Sequence, residues 1–273
     1  MAVDRIATNA SDPSADRSLV AWHVAGAQGV LVSGGSRTPL PGTHPALGGD
    51  RMAVLGDATI SVRQTRGPQF SATVPAPGAD ALAVSAVWVA WRAREAAGDA
   101  LFAAPLAGGA PRVVARAPEL GRPALDGDRL AFHVATSSGS HIVIADLAAG
   151  TQAAVRSERR ALLLNPSLLD GRLLYVRALF SRQELRVGPQ RKRSARRDRR
   201  LWSTVPTGRR DAGHEPGNKH KKHGQPHRLW RRPRRGLSLT LWTTALAADA
   251  AYVTRLRQVS GHALQTEIMR VPR

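Results

Sequence analysis

The hydrophobic pattern of this chain is one of short apolar runs punctuated by Gly/Asp turns, and it repeats. Four segments place a large apolar residue nine positions after a proline: Pro13 to Trp22, Pro45 to Val54, Pro123 to Phe132 and Pro166 to Tyr175. A small residue follows each proline (Ser14, Ala46, Ala124, Ser167), and a Gly/Asp pair lies midway in three of them (Gly49-Asp50, Gly127-Asp128, Asp170-Gly171). The segments PALGGDRMAV at 45–54 and PALDGDRLAF at 123–132 differ at only three of ten positions. Val89-Ala90-Trp91 and Ala250-Ala251-Tyr252 keep the second half of the unit without the proline. Gly and Asp tolerate the positive φ of a tight hairpin turn, so each unit reads as strand, turn, strand. A second strand pair follows, as in HIVIADL at 141–147 with TQAAV at 151–155, or LFAAPLAGGAPRVVA at 101–115. Four short strands make a small sheet that cannot cover its own faces, and several such sheets packed in a ring bury one another.

The repeat interval sets the number of sheets. The anchors 22, 54, 91, 132, 175 and 252 are separated by 32, 37, 41, 43 and 77 residues. The first four intervals suit one four-stranded blade each. The last allows either an eroded seventh blade or an insertion in blade five. LRV at 185–187 and RLWSTV at 200–205 can complete blade five, and the stretch near 206–236 is too polar and too rich in Gly, Pro and His for paired strands. The expectation is an all-β propeller of six four-stranded blades in one domain, 1–273, with a basic insertion at about 191–235. Strand HALQTEIMRV at 262–271 leaves the last blade one strand short, and Asp4-Arg5-Ile6-Ala7-Thr8 is a strand without a blade. Pairing it beside Ile268–Val271 closes the ring and hides two open edges.

With its proline, small residue, Asp/Gly turn, apolar-aromatic strand and I-x-x-A-D-L-like strand, the repeat resembles that of TolB-like propellers. In that family the turn reads Ser-Pro-Asp-Gly, and Pro-Ala-Leu-Asp-Gly at 123–127 is the nearest version here. The resemblance covers about residues 4–187 and 240–271. It implies the fold but no single function, since such propellers serve as docking surfaces, as peptidase lids and occasionally as enzymes.

Composition narrows the chemistry. The 273 residues contain no Cys, which removes disulfides, thiolate metal sites and cysteine nucleophiles. No apolar run approaches the roughly 18 residues of a membrane span, and Met1-Ala2-Val3-Asp4 opens no leader. A soluble chain is expected, extracytoplasmic if a leader has been removed and cytoplasmic otherwise. The net charge of +20 is concentrated, since residues 191–235 hold 17 of the 40 Lys and Arg against three carboxylates. The polyanion-binding candidates are Arg191, Lys192, Arg193, Arg196, Arg197, Arg199, Arg200, Lys219, Lys221, Lys222, Arg231, Arg232, Arg234 and Arg235, with Trp202 and Trp230 interleaved. Such clusters neutralise phosphates, although like-charge blocks also occur as solvated loops. Trp202, in RLWSTV, reads as a packing residue. His214, His220, His223 and His227, with Glu215, have the residue types of a Zn²⁺, Ni²⁺ or Cu²⁺ site. A Gly/Pro/Lys-rich loop supplies no rigid frame, so adventitious affinity is expected, with no cofactor.

No Gly-x-Ser-x-Gly elbow, phosphate-cradling loop or His-Glu-x-x-His occurs. His23 and His133 each follow a blade anchor and are candidates for lining the channel, with a packing role as the simpler reading. No catalytic residue is assigned. The leading reading is a monomeric, non-catalytic scaffold that binds a protein partner, and an anionic polymer or nucleic acid through the basic insertion. The alternative is a lyase or hydrolase acting on an anionic polysaccharide through channel His and Arg residues.

Overall fold

The structure, a computed structural model, describes residues 3–26, 28–66, 69–136, 139–179, 182–204, 241–260 and 263–273, and side chains throughout these except at 258–260 and 263–264. Strand β1 (Asp4–Thr8) comes first in the chain but belongs to the last blade. Blade one is β2 (Ala10–Asp16), β3 (Leu19–Val24), β4 (Gly29–Ser33) and β5 (Ser36–Pro39). Blade two is β6 (Thr43–Gly48), β7 (Arg51–Leu55), β8 (Thr59–Gln64) and β9 (Ser71–Pro75). Blade three is β10 (Ala79–Val84), β11 (Trp88–Glu95), β12 (Gly98–Pro105) and β13 (Arg112–Ala117). Blade four is β14 (Ala124–Asp126), β15 (Arg129–Thr136), β16 (Gly139–Asp146) and β17 (Thr151–Glu158). Blade five is β18 (Leu162–Leu169), β19 (Arg172–Ala178), β20 (Gln183–Pro189) and β21 (Arg199–Thr204), with a 3-10 turn at Ala195–Arg197. Blade six is β22 (Leu241–Leu246), β23 (Ala250–Ser260), β24 (Ala263–Pro272) and β1.

There are thus six sheets, and the long interval after Tyr175 contains the end of blade five and the start of blade six; the seven-blade count is not met. Ring closure follows the expected pairing, with Asp4 opposite Arg270, Arg5 opposite Met269 and Thr8 opposite Glu267. The turns behave as their residues dictate. Gly49 and Asp50 both have φ of 59°, and Asp170 and Gly171 have 47° and 72°, the positive pair that a two-residue type I′ hairpin needs.

The inner strands of each blade are buried on both faces and read as apolar runs, and side-chain alternation decides which neighbour each residue meets. In β11, Val89, Trp91 and Ala93 pack toward blade two while Ala90 packs toward blade four. In β19, Leu173 and Tyr175 meet blade four while Leu174, Val176 and Ala178 meet blade six. Every blade–blade junction has its own apolar cluster. Blade six departs from the repeat: Tyr252 faces blade one, and Ala251 and Val253 take the positions facing blade five.

The small residue after the repeat proline has a second use. The Ser14 hydroxyl accepts the Leu47 N–H at 2.8 Å and the Ser167 hydroxyl accepts the Leu246 N–H at 3.0 Å, each tying a blade to the next. A parallel set of latches uses the start of the third strand. Asp99 accepts from Leu120 N–H (3.0 Å), Ser140 from Leu163 N–H (2.9 Å) and Gln183 from Leu241 N–H (2.6 Å). Buried backbone donors at the blade junctions are satisfied in this way.

Candidate functional site at the channel mouth

The first strands of all six blades surround a narrow lumen of about 130 Å³. At one end, on the side where the second strand of each blade turns into the third, it meets a funnel of about 720 Å³. Local backbone geometry explains what lines this funnel. In blades one, two and five the residue before the repeat proline sits in a β-bulge with positive φ: Asp12 at 54°, His44 at 46° and Asn165 at 42°. Asp, His and Asn are the side-chain-bearing residues that enter this region most readily, and a bulge re-aims the side chain it carries. All three side chains line the funnel, as does Arg122, which precedes the proline of blade four.

Arg122 crosses the ring. Its guanidinium donates to the carbonyls of Pro13 (3.2 Å) and Pro45 (3.3 Å) in blades one and two, and lies 3.7 Å from the Asp12 carboxylate. Its own N–H donates to Asn165 Oδ1 at 3.2 Å. This side chain lines both the funnel and the lumen and forms the floor between them. Burial lowers its pKa, against the attraction of Asp12. Burial also pushes the Asp12 carboxyl up, but its contact with His44 and the charge of Arg122 outweigh this and hold it at about 2. His44 Nδ1 lies 3.4 Å from Asp12 Oδ2, and the His44 ring stacks on His23 at 4.7 Å.

On the opposite wall, Arg92 forks onto both oxygens of Asp80 at 2.8 Å and donates to the Leu120 carbonyl. Burial lowers the Arg92 pKa, but the Asp80 contact more than reverses it. His133 is buried, and its Nδ1 accepts the Asn165 N–H at 2.9 Å. Desolvation, aided by Arg92, lowers its pKa to about 3, so the ring is neutral. Gly121 has no side chain because the ring lies against it: a Cβ there would stand 1.8 Å from His133 Nδ1. Trp242 is partly exposed at the rim, and its carbonyl accepts from the Asn165 amide. The lining holds five carboxylates (Asp12, Asp80, Glu95, Asp99, Glu119) against three guanidiniums (Arg92, Arg94, Arg122), so the funnel is the acidic part of a basic chain.

Of the two channel candidates, His133 lines the funnel as a packed, neutral side chain. His23 is stacked on His44 and is not part of the lining. Sequence reasoning missed Asp12, His44, Arg92, Arg122 and Asn165. For all but Arg92 the available signal is the polar residue immediately before a repeat proline; Arg92 follows its anchor Trp91 as His23 and His133 follow theirs. Arg191, Lys192, Arg193, Arg196 and Arg197 lie on the connection from β20 to β21, and Arg199 and Arg200 begin β21. Trp202 of β21 is packed against the blade five–six core. Lys219, Lys221, Lys222, Arg231, Arg232, Arg234 and Arg235, and the histidines 214, 220, 223 and 227, lie outside the described residues. Among the described residues no His, Asp and Glu side chains group to hold a metal ion, and no helix is long and apolar enough to cross a membrane.

No protein-family model matches the chain, and no curated protein matches it in sequence. Solved structures do match its fold. A putative TolB from Agrobacterium tumefaciens superposes with a TM-score of 0.55 at 11% identity, over 97% of this chain and 85% of that one. A chain of a nidogen/laminin complex superposes with a TM-score of 0.52 at 11% identity, over 73% of this chain and 81% of the other. The chain is a six-bladed β-propeller similar in structure to putative TolB. At this identity the likeness concerns the propeller fold and leaves the funnel chemistry to be argued from its own residues.

Proposed function

We propose that this propeller is a non-catalytic docking scaffold and that its binding surface is the funnel, which receives a protein segment carrying a basic side chain. The observation that carries this reading is the convergence of the pre-proline residues, three of them held at positive φ, on one mouth of the channel. A bulge kept in three repeats and aiming a polar side chain at one cavity suits recognition. The excess of carboxylates suits a cationic group, and the partly exposed Trp242 offers an aromatic contact at the rim.

The alternative, an enzyme working on an anionic polysaccharide, needs free guanidiniums to hold carboxylates and a histidine able to exchange protons. Arg92 and Arg122 are engaged by Asp80, Asp12 and backbone carbonyls, and His133 is neutral and committed to Asn165. These engagements favour the scaffold. A photo-crosslinking residue at position 119 is expected to capture a partner that one at Val113, on the outer strand of blade three, does not, and Trp242→Ala should reduce that capture. Equal capture at both positions sinks the docking reading. New chain ends in an anionic polysaccharide, lost in His133→Ala, would put the enzyme in its place.

A further inference from the structure

The segment from Gln190 to Arg199 carries six Lys and Arg against a single carboxylate, Asp198. Mutual repulsion alone would leave such a segment extended and solvated. Instead it is pinned from beneath. The Asp198 carboxylate is fully buried and accepts from Arg156 Nε at 2.7 Å, from Arg156 Nη2 at 3.2 Å and from the Tyr175 hydroxyl at 2.9 Å. It rests on Gly188, where a Cβ would approach Oδ1 to 2.1 Å. Arg156, from blade four, also donates to the carbonyls of Arg191 and Pro189 at 2.7 Å, and Arg193 N–H donates to the Val155 carbonyl. Gln190 binds the turn of its own blade through Gly171 and accepts from Arg129 of blade four. The loop is therefore fixed across two blades by buried bonds.

What it presents is unpaired charge. The side chains of Arg191, Lys192, Arg196, Arg197 and Arg199 are exposed, as is Arg172, which begins β19 after the Asp170-Gly171 turn, and none of the six makes an ion pair with a described carboxylate. Arg273 stands close enough to Arg172 and Arg199 that, besides its burial, their charges lower its pKa. At the other end of the same blade the opposite arrangement holds, where Arg177, Arg182 and Arg186 all converge on the buried Glu184.

We infer that the face of blade five built from its β18–β19 and β20–β21 connections is a surface for the phosphate backbone of a nucleic acid, bound without regard to sequence. Five of the six free cations are arginines, whose planar forks match phosphodiester oxygens two at a time. They stand on a preorganised loop, so binding does not have to order the loop itself. Among the described residues the exposed large apolar side chains, Val87, Val113 and Trp242, belong to blades three and six, and none stands among these arginines to enter a lipid layer.

The test uses the full chain and a fluorescein-labelled DNA duplex, with anisotropy followed against salt. In R172Q/R196Q/R197Q/R199Q the slope of log affinity against log salt should shrink by about 0.9 for each phosphate no longer neutralised, with affinity at low salt at least tenfold weaker. An unchanged slope and affinity would place binding elsewhere in the chain and overturn the inference. Phenylglyoxal modification of the unmutated chain supplies a readout independent of any variant: the duplex should protect Arg196 and Arg197, and equal reactivity with and without it overturns the proposal. Phosphatidylglycerol vesicles form the last arm. Vesicle binding that the variant loses while its duplex binding persists would overturn the assignment to nucleic acid.

Discussion

The two ends of this propeller handle charge in opposite ways. At the funnel, arginines and carboxylates from different blades neutralise one another: Arg92 on Asp80, Arg122 near Asp12, Arg94 near Asp99. On the turn face of blade five a single buried carboxylate, Asp198, anchors the loop through Arg156 and Arg193, while Arg191, Arg196, Arg197 and Arg199 are exposed with no ion pair among the described carboxylates. Arginine content does not separate the two ends, since both carry several. The difference lies in burial. Where blades converge on an axis, a charge leaves water and must find a counter-charge; where a connection projects from the rim, water serves the same purpose at almost no cost.

Breaking the buried anchor should have the largest effect. Asp198→Asn leaves the fully buried Arg156 guanidinium without its charge partner and is expected to cost about 3–5 kcal/mol in urea unfolding. A loss below about 1 kcal/mol would mean that the carbonyls of Pro189 and Arg191 suffice to hold Arg156. At the other end, Arg122→Met removes the floor between funnel and lumen and leaves Asp12 without its guanidinium neighbour, for an expected loss of roughly 2 kcal/mol. It should also raise the Asp12 pKa, readable by NMR titration.

Acid offers a separate probe of the funnel. The folded pKa of His133, about 3, lies below its ordinary value of 6.5, so on acidification the unfolded chain takes up the proton first. The stability from keeping this ring neutral is complete above pH 6.5 and is lost as pH falls toward 3, at no more than about 1.4 kcal/mol per pH unit. His23, also lowered by burial and by His44, acts in the same direction. Asp12 and Glu184, both held near 2, lose their contributions only below their ordinary carboxylate values, so the interval from pH 6.5 to 5 isolates the histidines. Urea midpoints should fall across that interval in the native chain and fall less in His133→Gln; parallel curves would refute the assignment.

Smaller effects sharpen the contrast. Ser167→Ala removes the acceptor for the buried Leu246 N–H and should cost about 1 kcal/mol. The exposed pair R196Q/R197Q should leave the unfolding free energy in urea within about 0.5 kcal/mol of the native chain, even though it strips charge from the surface assigned to nucleic acid. A large loss there would mean that these arginines hold the loop in place.

The legible and illegible parts of this protein divide along the same physical line. Blade count, strand order and ring closure are readable because each rests on local rules: hairpin turns demand Gly or Asp, and a sheet buried on both faces demands apolar runs at a fixed interval. His23 and His133 stand out because they follow the anchors, yet their shared repeat position does not bring them to one place. His133 packs against Gly121 and Asn165, and His23 against His44. The basic segment is visible as a charge count, but nothing in that count separates Asp198, buried beneath Arg156, from the arginines beside it.

By itself, then, the sequence determined a closed ring of six four-stranded blades and the concentration of charge in the insertion that begins within blade five. Tertiary structure alone decided that residues before the repeat prolines turn inward to one mouth, that Arg122 spans the ring to blades one and two, and that a carboxylate 42 positions from Arg156 pins an arginine-rich loop. The reason is range. Turn chemistry and side-chain alternation act over a few residues and repeat with the blade, whereas Arg122 meets blades one and two only once the ring has closed, and Asp198 meets Arg156 only when blade five packs on blade four.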